Sequence, residues 1–193
     1  SAPLERQADR RGVAGDFFVF KIAGAAADLM WPLEAVVAAA QKANAATLTI
    51  GVGLAPCSLP QVGKPSFELG EREMEVGLGI HGEPGIYRDA LQPADVLVDR
   101  LMDELLAELP PGQSEVAVLV NGLGSTPLME LYICYRRVKA RLDDAGVVVR
   151  RCWVGDYVAS LDMAGMSITL LALDEQLSTL LDHPCDCAMF AVA

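Results

Sequence analysis

Positive charge is in short supply in this sequence: 15 lysines and arginines stand against 26 aspartates and glutamates, a formal net charge of −11. A summed field of that sign repels phosphate backbones and anionic bilayers, which excludes nucleic acid and membrane as expected partners. No apolar run is long enough to cross a bilayer, and the opening Ser1-Ala2-Pro3-Leu4-Glu5-Arg6 has no signal-peptide core. The initiator methionine is also missing, which points to a processed, tagged or excised chain. A disulfide framework is lacking too. Cys57, Cys134, Cys152, Cys185 and Cys187 are odd in number and scattered, which fits reduced thiols in a cytoplasm. His183-Pro184-Cys185-Asp186-Cys187 offers one nitrogen and two sulfurs, but no fourth ligand stands at the spacing of a structural zinc site, so no metal is expected. Internal repeats and low-complexity stretches are absent.

What is present is apolar material, 52% of 193 residues, enough for one well-packed domain. Residues 1–12 are polar and read as a linker, and 13–193 as the domain. Gly15 to Asp28 has a strand-like start, Phe17-Phe18-Val19-Phe20, but its alanine-rich second half predicts a helix. Pro32 in a first turn opens a second helix with Leu33, Val36, Val37 and Ala40 on one face. Thr47 to Leu54 alternates and predicts a strand, as does Glu73-Met74-Glu75-Val76, which should run to near Ile80 with one face buried. Ala94 to Leu109 is an amphipathic helix whose apolar residues are Val96, Leu97, Leu101, Leu105 and Leu109, with a solvated acidic face. The continuous apolar run Glu115 to Val120 predicts a central strand covered on both faces. A long helix through Leu142, strands at 147–154 and 166–173, a short helix from Asp174 to Leu181 and an extended tail follow. Alternating strands and helices give an α/β layered domain with about five or six strands covered by helices. The sheet should be mixed, because no crossover helix fits between Leu54 and Glu73.

Chemistry concentrates in Gly77-Leu78-Gly79-Ile80-His81-Gly82-Glu83-Pro84-Gly85, where one histidine stands among four glycines. Glycine permits tight backbone angles and proline stiffens the exit, so the turn is suited to aiming an imidazole. The same pattern also suits a surface histidine held by hydrogen bonds. Gly77-x-Gly79-x-x-Gly82 matches the dinucleotide fingerprint by letters only, since Glu83-Pro84-Gly85 follows where the fingerprint needs a helix. A second loop, Asn121-Gly122-Leu123-Gly124-Ser125-Thr126-Pro127, opens a helix with a Ser/Thr cap. It reads as a capped helix start rather than a phosphate cradle.

Arg11-Gly12-Val13-Ala14-Gly15, Lys21-Ile22-Ala23-Gly24-Ala25-Ala26-Ala27, Glu73-Met74-Glu75 with the histidine turn, Asn121-Gly122-Leu123-Gly124 with Pro127 and Glu130, and Ser160-Leu161-Asp162-Met163-Ala164-Gly165 occur in this order. Together they resemble dihydroxyacetone kinase, and within it the second of the two domains of the substrate-binding K subunit. The resemblance implies that His81 bonds covalently to the carbonyl carbon of dihydroxyacetone or a related short ketose or aldose, with Gly82 and Glu83 beside the substrate. Glu83 would orient the imidazole or face solvent. It also implies that this chain binds no cofactor. The phosphoryl group would come from ATP with Mg on a separate L domain or subunit, or from a phosphorylated partner. The first K domain would supply the acid and base, and a homodimer is the family's expectation. Two functions remain open: the substrate-holding domain of the kinase, and a non-catalytic sugar-sensing regulatory paralogue.

Overall fold

The computed structural model describes residues 9–10, 12–58, 61, 63–80, 82–188 and 190–193. In chain order the elements are α1 (Asp16–Asp28), α2 (Leu33–Ala46), β1 (Thr47–Ala55), β2 (Glu73–Val76), β3 (Tyr87–Ala90), α3 (Ala94–Glu108), β4 (Glu115–Gly122), α4 (Leu128–Asp144), β5 (Val148–Gly155), β6 (Ala164–Ala172), α5 (Glu175–Asp182), β7 (Cys185–Cys187) and β8 (Phe190–Val192). The first six strands form one sheet in the order β3-β2-β1-β6-β4-β5. Only β4 and β5 are parallel; every other neighbouring pair is antiparallel. The mixed α/β sheet expected from the sequence is therefore present, and the helix-free segment after β1 leads to an antiparallel β2.

Helices cover both faces. On one, Val116, Val118 and Val120 of β4, Ile168 and Leu170 of β6, and Ile50 and Val52 of β1 meet Leu97, Leu101 and Leu105 of α3 and Leu131, Val138 and Leu142 of α4. On the other, Ala117, Leu119 and Leu171 meet α1, α2 and α5. This alternation along β4 is the double burial that its unbroken apolar run predicts. Pro32, Pro93 and Pro127 occupy the N-caps of α2, α3 and α4, all with extended ψ near 145°. A proline loses nothing there, because the first amides of a helix have no partner within it.

Several expectations need correcting. Pro32 precedes the helix instead of lying in its first turn, and α2 buries Ala39 and Ala43, while Leu33 and Val37 are exposed. Its partner is the alanine face of α1, Ala25 and Ala26, which small residues approach best. In α3 the buried face is Leu97, Val98, Leu101, Met102 and Leu105, and Val96 lies outside it. The acidic side of α3 is not simply solvated: Arg136 pairs with Asp95, Arg137 with Asp99, and Arg141 with both Asp99 and Asp103, so α3 and α4 are laced together by charge. The extended tail is a small hairpin, β7 with β8. Finally, β2 ends at Val76, because Gly77 takes φ +79° with Ile86 packed where a Cβ would stand. Strand β3, unanticipated, pairs with β2 from Glu73–Ala90 to Val76–Tyr87. The histidine turn is thus the ten-residue tip of a β-hairpin.

Candidate functional site

The tip, residues 77–86, folds back over the sheet on the α1 side, and β1 makes room for it with two glycines. A Cβ on Gly51 would sit 3.0 Å from Val13 Cγ2 and 3.4 Å from the Leu78 carbonyl oxygen, and one on Gly53 2.8 Å from Leu78 Cδ1. Glycine inside a strand commonly marks such a close approach. Leu78 then joins Val13, Cys57, Leu123 and Met163 in a separate small core, with Phe67 and Ile80 packed on it. These residues come from the segments before α1, after β1, after β4 and before β6. Motifs far apart in sequence, Arg11 to Gly15, Asn121 to Gly124 and Ser160 to Gly165, therefore meet beneath the turn through Val13, Leu123 and Met163.

Backbone bonds define the tip. Gly77 N donates to Gly51 O and Ile86 N to Val76 O, both at 2.7 Å, so the hairpin is closed at its base. Within it Gly79 N donates to Glu83 O (3.2 Å) and Gly82 N to Gly79 O (3.3 Å). Gly82 takes φ +90°, a backbone state that side chains resist, and its Cα faces Ser66 and Phe67. At the exit Gly85 N donates to Glu75 Oε1 at 2.7 Å. Glu75 retains 5% of its exposure and its Oε2 lies 3.2 Å from Arg88 Nη2. The alternation of β2 predicts one buried face; both faces are buried, because the tip lies over the face that carries Glu75. His81 itself falls outside the described residues. Its neighbours Ile80 and Gly82 are described, and the Glu83 carboxylate lies against the Cα of Gly79.

The loop after β4 has a structural use. The Asn121 side chain accepts from Tyr157 N and Val158 N and donates to Val158 O, each at 2.9 Å. Gly124, at φ +132°, lets the Leu161 carbonyl oxygen pass where a Cβ would be. The expected Ser/Thr cap of α4 does not form: Pro127 is the N-cap. Thr126 Oγ1 is engaged with both the N–H and the C=O of Gly165, and Ser125 N donates to Met163 O. These bonds tie the loop to β6.

Other residues singled out in the sequence lie elsewhere. Lys21, nearly buried, donates to Leu180 O and His183 O and so closes the C-terminal end of α5; burial lowers its pKa. His183 Nε2 is 2.7 Å from Asp28 Oδ2, and Cys187 Sγ donates to Phe190 O. Among the described residues no three His, Cys, Asp or Glu side chains gather as a metal site, and no helix is long and apolar enough to cross a membrane. A hollow of about 520 Å³ between α1 and the C-terminal hairpin is lined by Phe17, Phe20, Lys21, His183 and Phe190, and none of its lining residues belongs to the 77–86 tip.

A fold of this layering has counterparts among known proteins. The Dak1 domain model matches residues 1–189, and the chain belongs to that family. It is 53% identical over 189 residues to a PTS-dependent dihydroxyacetone kinase, dihydroxyacetone-binding subunit, from Listeria innocua, covering 97% of this chain and 57% of that protein. It is 43% identical over 195 residues to an L-erythrulose kinase from Pectobacterium atrosepticum, covering 98% of this chain and 33% of that one. Among solved structures, the dihydroxyacetone kinase of C. freundii superposes with a TM-score of 0.89 at 31% identity, over 98% of this chain and 34% of that chain. A dihydroxyacetone kinase operon co-activator superposes with 0.83 at 36% identity, over 90% and 54%. The chain thus spans little more than half the length of the first relative.

Proposed function

We propose that this chain is the sugar-holding domain of a dihydroxyacetone kinase K subunit, with His81 as the covalent anchor and Gly82 and Glu83 beside the substrate. The observation that carries the reading is the match to the Listeria innocua dihydroxyacetone-binding subunit, and the bonds Gly77 N to Gly51 O and Ile86 N to Val76 O, which close the base of the hairpin, support it. A neutral imidazole nitrogen adds to the ketone carbon: a C–N bond forms as the C=O π bond breaks, and its electron pair passes to oxygen. That oxygen gains a proton and the second ring nitrogen gives one up, leaving a neutral hemiaminal with a free hydroxyl aimed at the phosphoryl donor. Selectivity follows, because glycerol has no electrophilic carbon to attack.

On this reading the chain acts with a first K domain that supplies acid and base. ATP with Mg on an L domain or subunit, or a phosphorylated partner, delivers the phosphoryl group, and this chain holds no cofactor. A homodimer and a cytoplasmic location belong to the same reading, and the isolated 193-residue chain is inactive as a kinase. The decisive experiment compares wild type with His81→Ala in the complete kinase, with dihydroxyacetone and glycerol side by side. The expected result is a covalent adduct in the wild type only, a raised KM in the variant and a narrower preference for ketone over glycerol. Unbonded sugar at His81, or an unchanged preference, refutes the reading. A second reading, a non-catalytic sugar sensor, is favoured by the likeness to the operon co-activator. It predicts an adduct without turnover even when every kinase partner is supplied.

A further inference from the structure

We infer that Glu75 is a positioning residue for the histidine turn: its buried carboxylate holds the exit of the hairpin tip at Gly85, and sugar capture by the turn depends on that hold. The inference rests on the covalent role proposed for His81. A carboxylate withdrawn from water is costly unless its oxygens are used. Here both are used, Oε1 by Gly85 N–H at 2.7 Å and Oε2 by Arg88 at 3.2 Å. Arg88 is half exposed and lies across the β2–β3 ladder from Glu75, so the pair is screened on its outer side only. The Gly85 bond is internal. A Cβ on Gly85 would overlap the Val76 carbonyl and crowd Glu75 Cγ, so the tip returns to β2 with no slack at that point. Ile86 N to Val76 O closes the ladder one residue further on. Entry to the tip is fixed by Gly77 N to Gly51 O, and its exit by Glu75. Between these two anchors the inner bonds from Gly79 and Gly82 are the longer ones, at 3.2 and 3.3 Å. A shift of the exit anchor therefore falls on a turn whose own bonds are longer than the two that anchor it.

Three substitutions separate geometry from charge. Glu75→Gln keeps an oxygen at the reach of Gly85 N–H and removes the charge. Glu75→Asp keeps the charge and withdraws the acceptor by one methylene. Arg88→Gln removes the partner alone. In the complete kinase, the Asp variant should raise KM for dihydroxyacetone by roughly tenfold to a hundredfold, as small misplacements do, and lower the adduct fraction. The Gln variant and Arg88→Gln should stay close to wild type, and kcat at saturating sugar should move less than KM. Amide exchange at Gly85 provides a readout independent of turnover, with protection in the wild type and Gln variant and its loss in Asp. Wild-type KM and adduct in Glu75→Asp, equal damage from Gln and Asp, or an unprotected Gly85 in the wild type each overturn the positioning role. Should Glu75→Asp fail to fold, the Gln variant and Gly85 exchange still decide. His81→Ala run alongside distinguishes the two claims. Loss of adduct there with normal capture in Glu75→Asp sinks Glu75 alone, whereas unchanged sugar handling in His81→Ala sinks the covalent reading.

Discussion

Beneath α3 and α4 the sheet presents side chains; beneath the hairpin tip it presents the bare backbone of Gly51 and Gly53. The first contact is built from Leu101, Met102, Val118 and Ile168, all buried, and is edged by arginine–aspartate pairs between the two helices. The second is built on glycines: at 51 and 53 a Cβ would meet the side chains of Val13 and Leu78, and at 124, in the loop after β4, and 165, at the start of β6, it would meet the carbonyl oxygens of Leu161 and Val52. A side-chain interface can lose atoms at a cost proportional to the cavity left. A backbone interface cannot gain one. The region beneath the histidine turn is thus the less forgiving of the two.

The largest effect should come from adding a single carbon on the backbone side. Gly124→Ala places a Cβ over the Leu161 carbonyl oxygen at φ +132°, so both strain and overlap act, and the loss should exceed ~4 kcal/mol. Gly112→Ala supplies the control, since Gly112 also has positive φ but nothing within 4 Å of its Cβ. Strain alone should cost ~1 kcal/mol there. Urea unfolding of the two variants measures the difference, and equal losses would mean that close approach contributes nothing.

On the side-chain face the test removes atoms. Leu101→Ala empties a fully buried position in the α3 layer and should cost roughly 3 kcal/mol, with dihydroxyacetone capture by the folded fraction unchanged. If capture falls in step with stability, the two regions are not separable and the comparison fails.

The contrast also explains what could be read from the sequence. Side-chain packing writes a period: the apolar run at 115–120 and the repeat at 97, 101 and 105 announced β4 and α3, and the short helix-free link after β1 announced an antiparallel neighbour. Backbone packing writes only absences. Gly51 and Gly53, two apart in a strand, were the available sign that something crosses β1, although they do not say what. Strand β3, Tyr87-Arg88-Asp89-Ala90, is mostly exposed and has no period to detect. Glu75 looked like the outward residue of an alternating strand, because the covering tip is formed by residues that follow it. The alanine face of α2 was hidden for a related reason: leucine and valine carry more apolar weight than alanine, but α1 presents alanines, and close approach selected Ala39 and Ala43. The histidine turn was legible as a candidate from its composition, and the role proposed for it came from resemblance to a family.

The smallest effect belongs to the charges that edge α3 and α4, and its sign is fixed by their titration. Hydrogen bonds from Arg137, and then from Arg141, outweigh burial and hold the Asp99 carboxyl below its ordinary value. A carboxylate whose folded pKa is depressed binds protons more readily in the unfolded chain, so acid favours unfolding. The contribution is complete above the unfolded value of ~3.9, begins to fade as pH approaches it, and is lost once pH has fallen through the depressed folded value. Asp99→Asn should therefore lower stability slightly at pH 7, less than Leu101→Ala does, and by an amount that shrinks with added salt. As pH falls below about 4 the difference between variant and wild type should shrink, and it should vanish only once pH has passed through the depressed folded value, where the wild-type carboxyl is protonated as well. Denaturation midpoints at pH 7 and pH 3, each with and without salt, make the test. A difference that grows toward low pH would reverse the assigned sign. A loss at pH 7 as large as that of Leu101→Ala would mean that this face, too, is held at a point rather than over a surface.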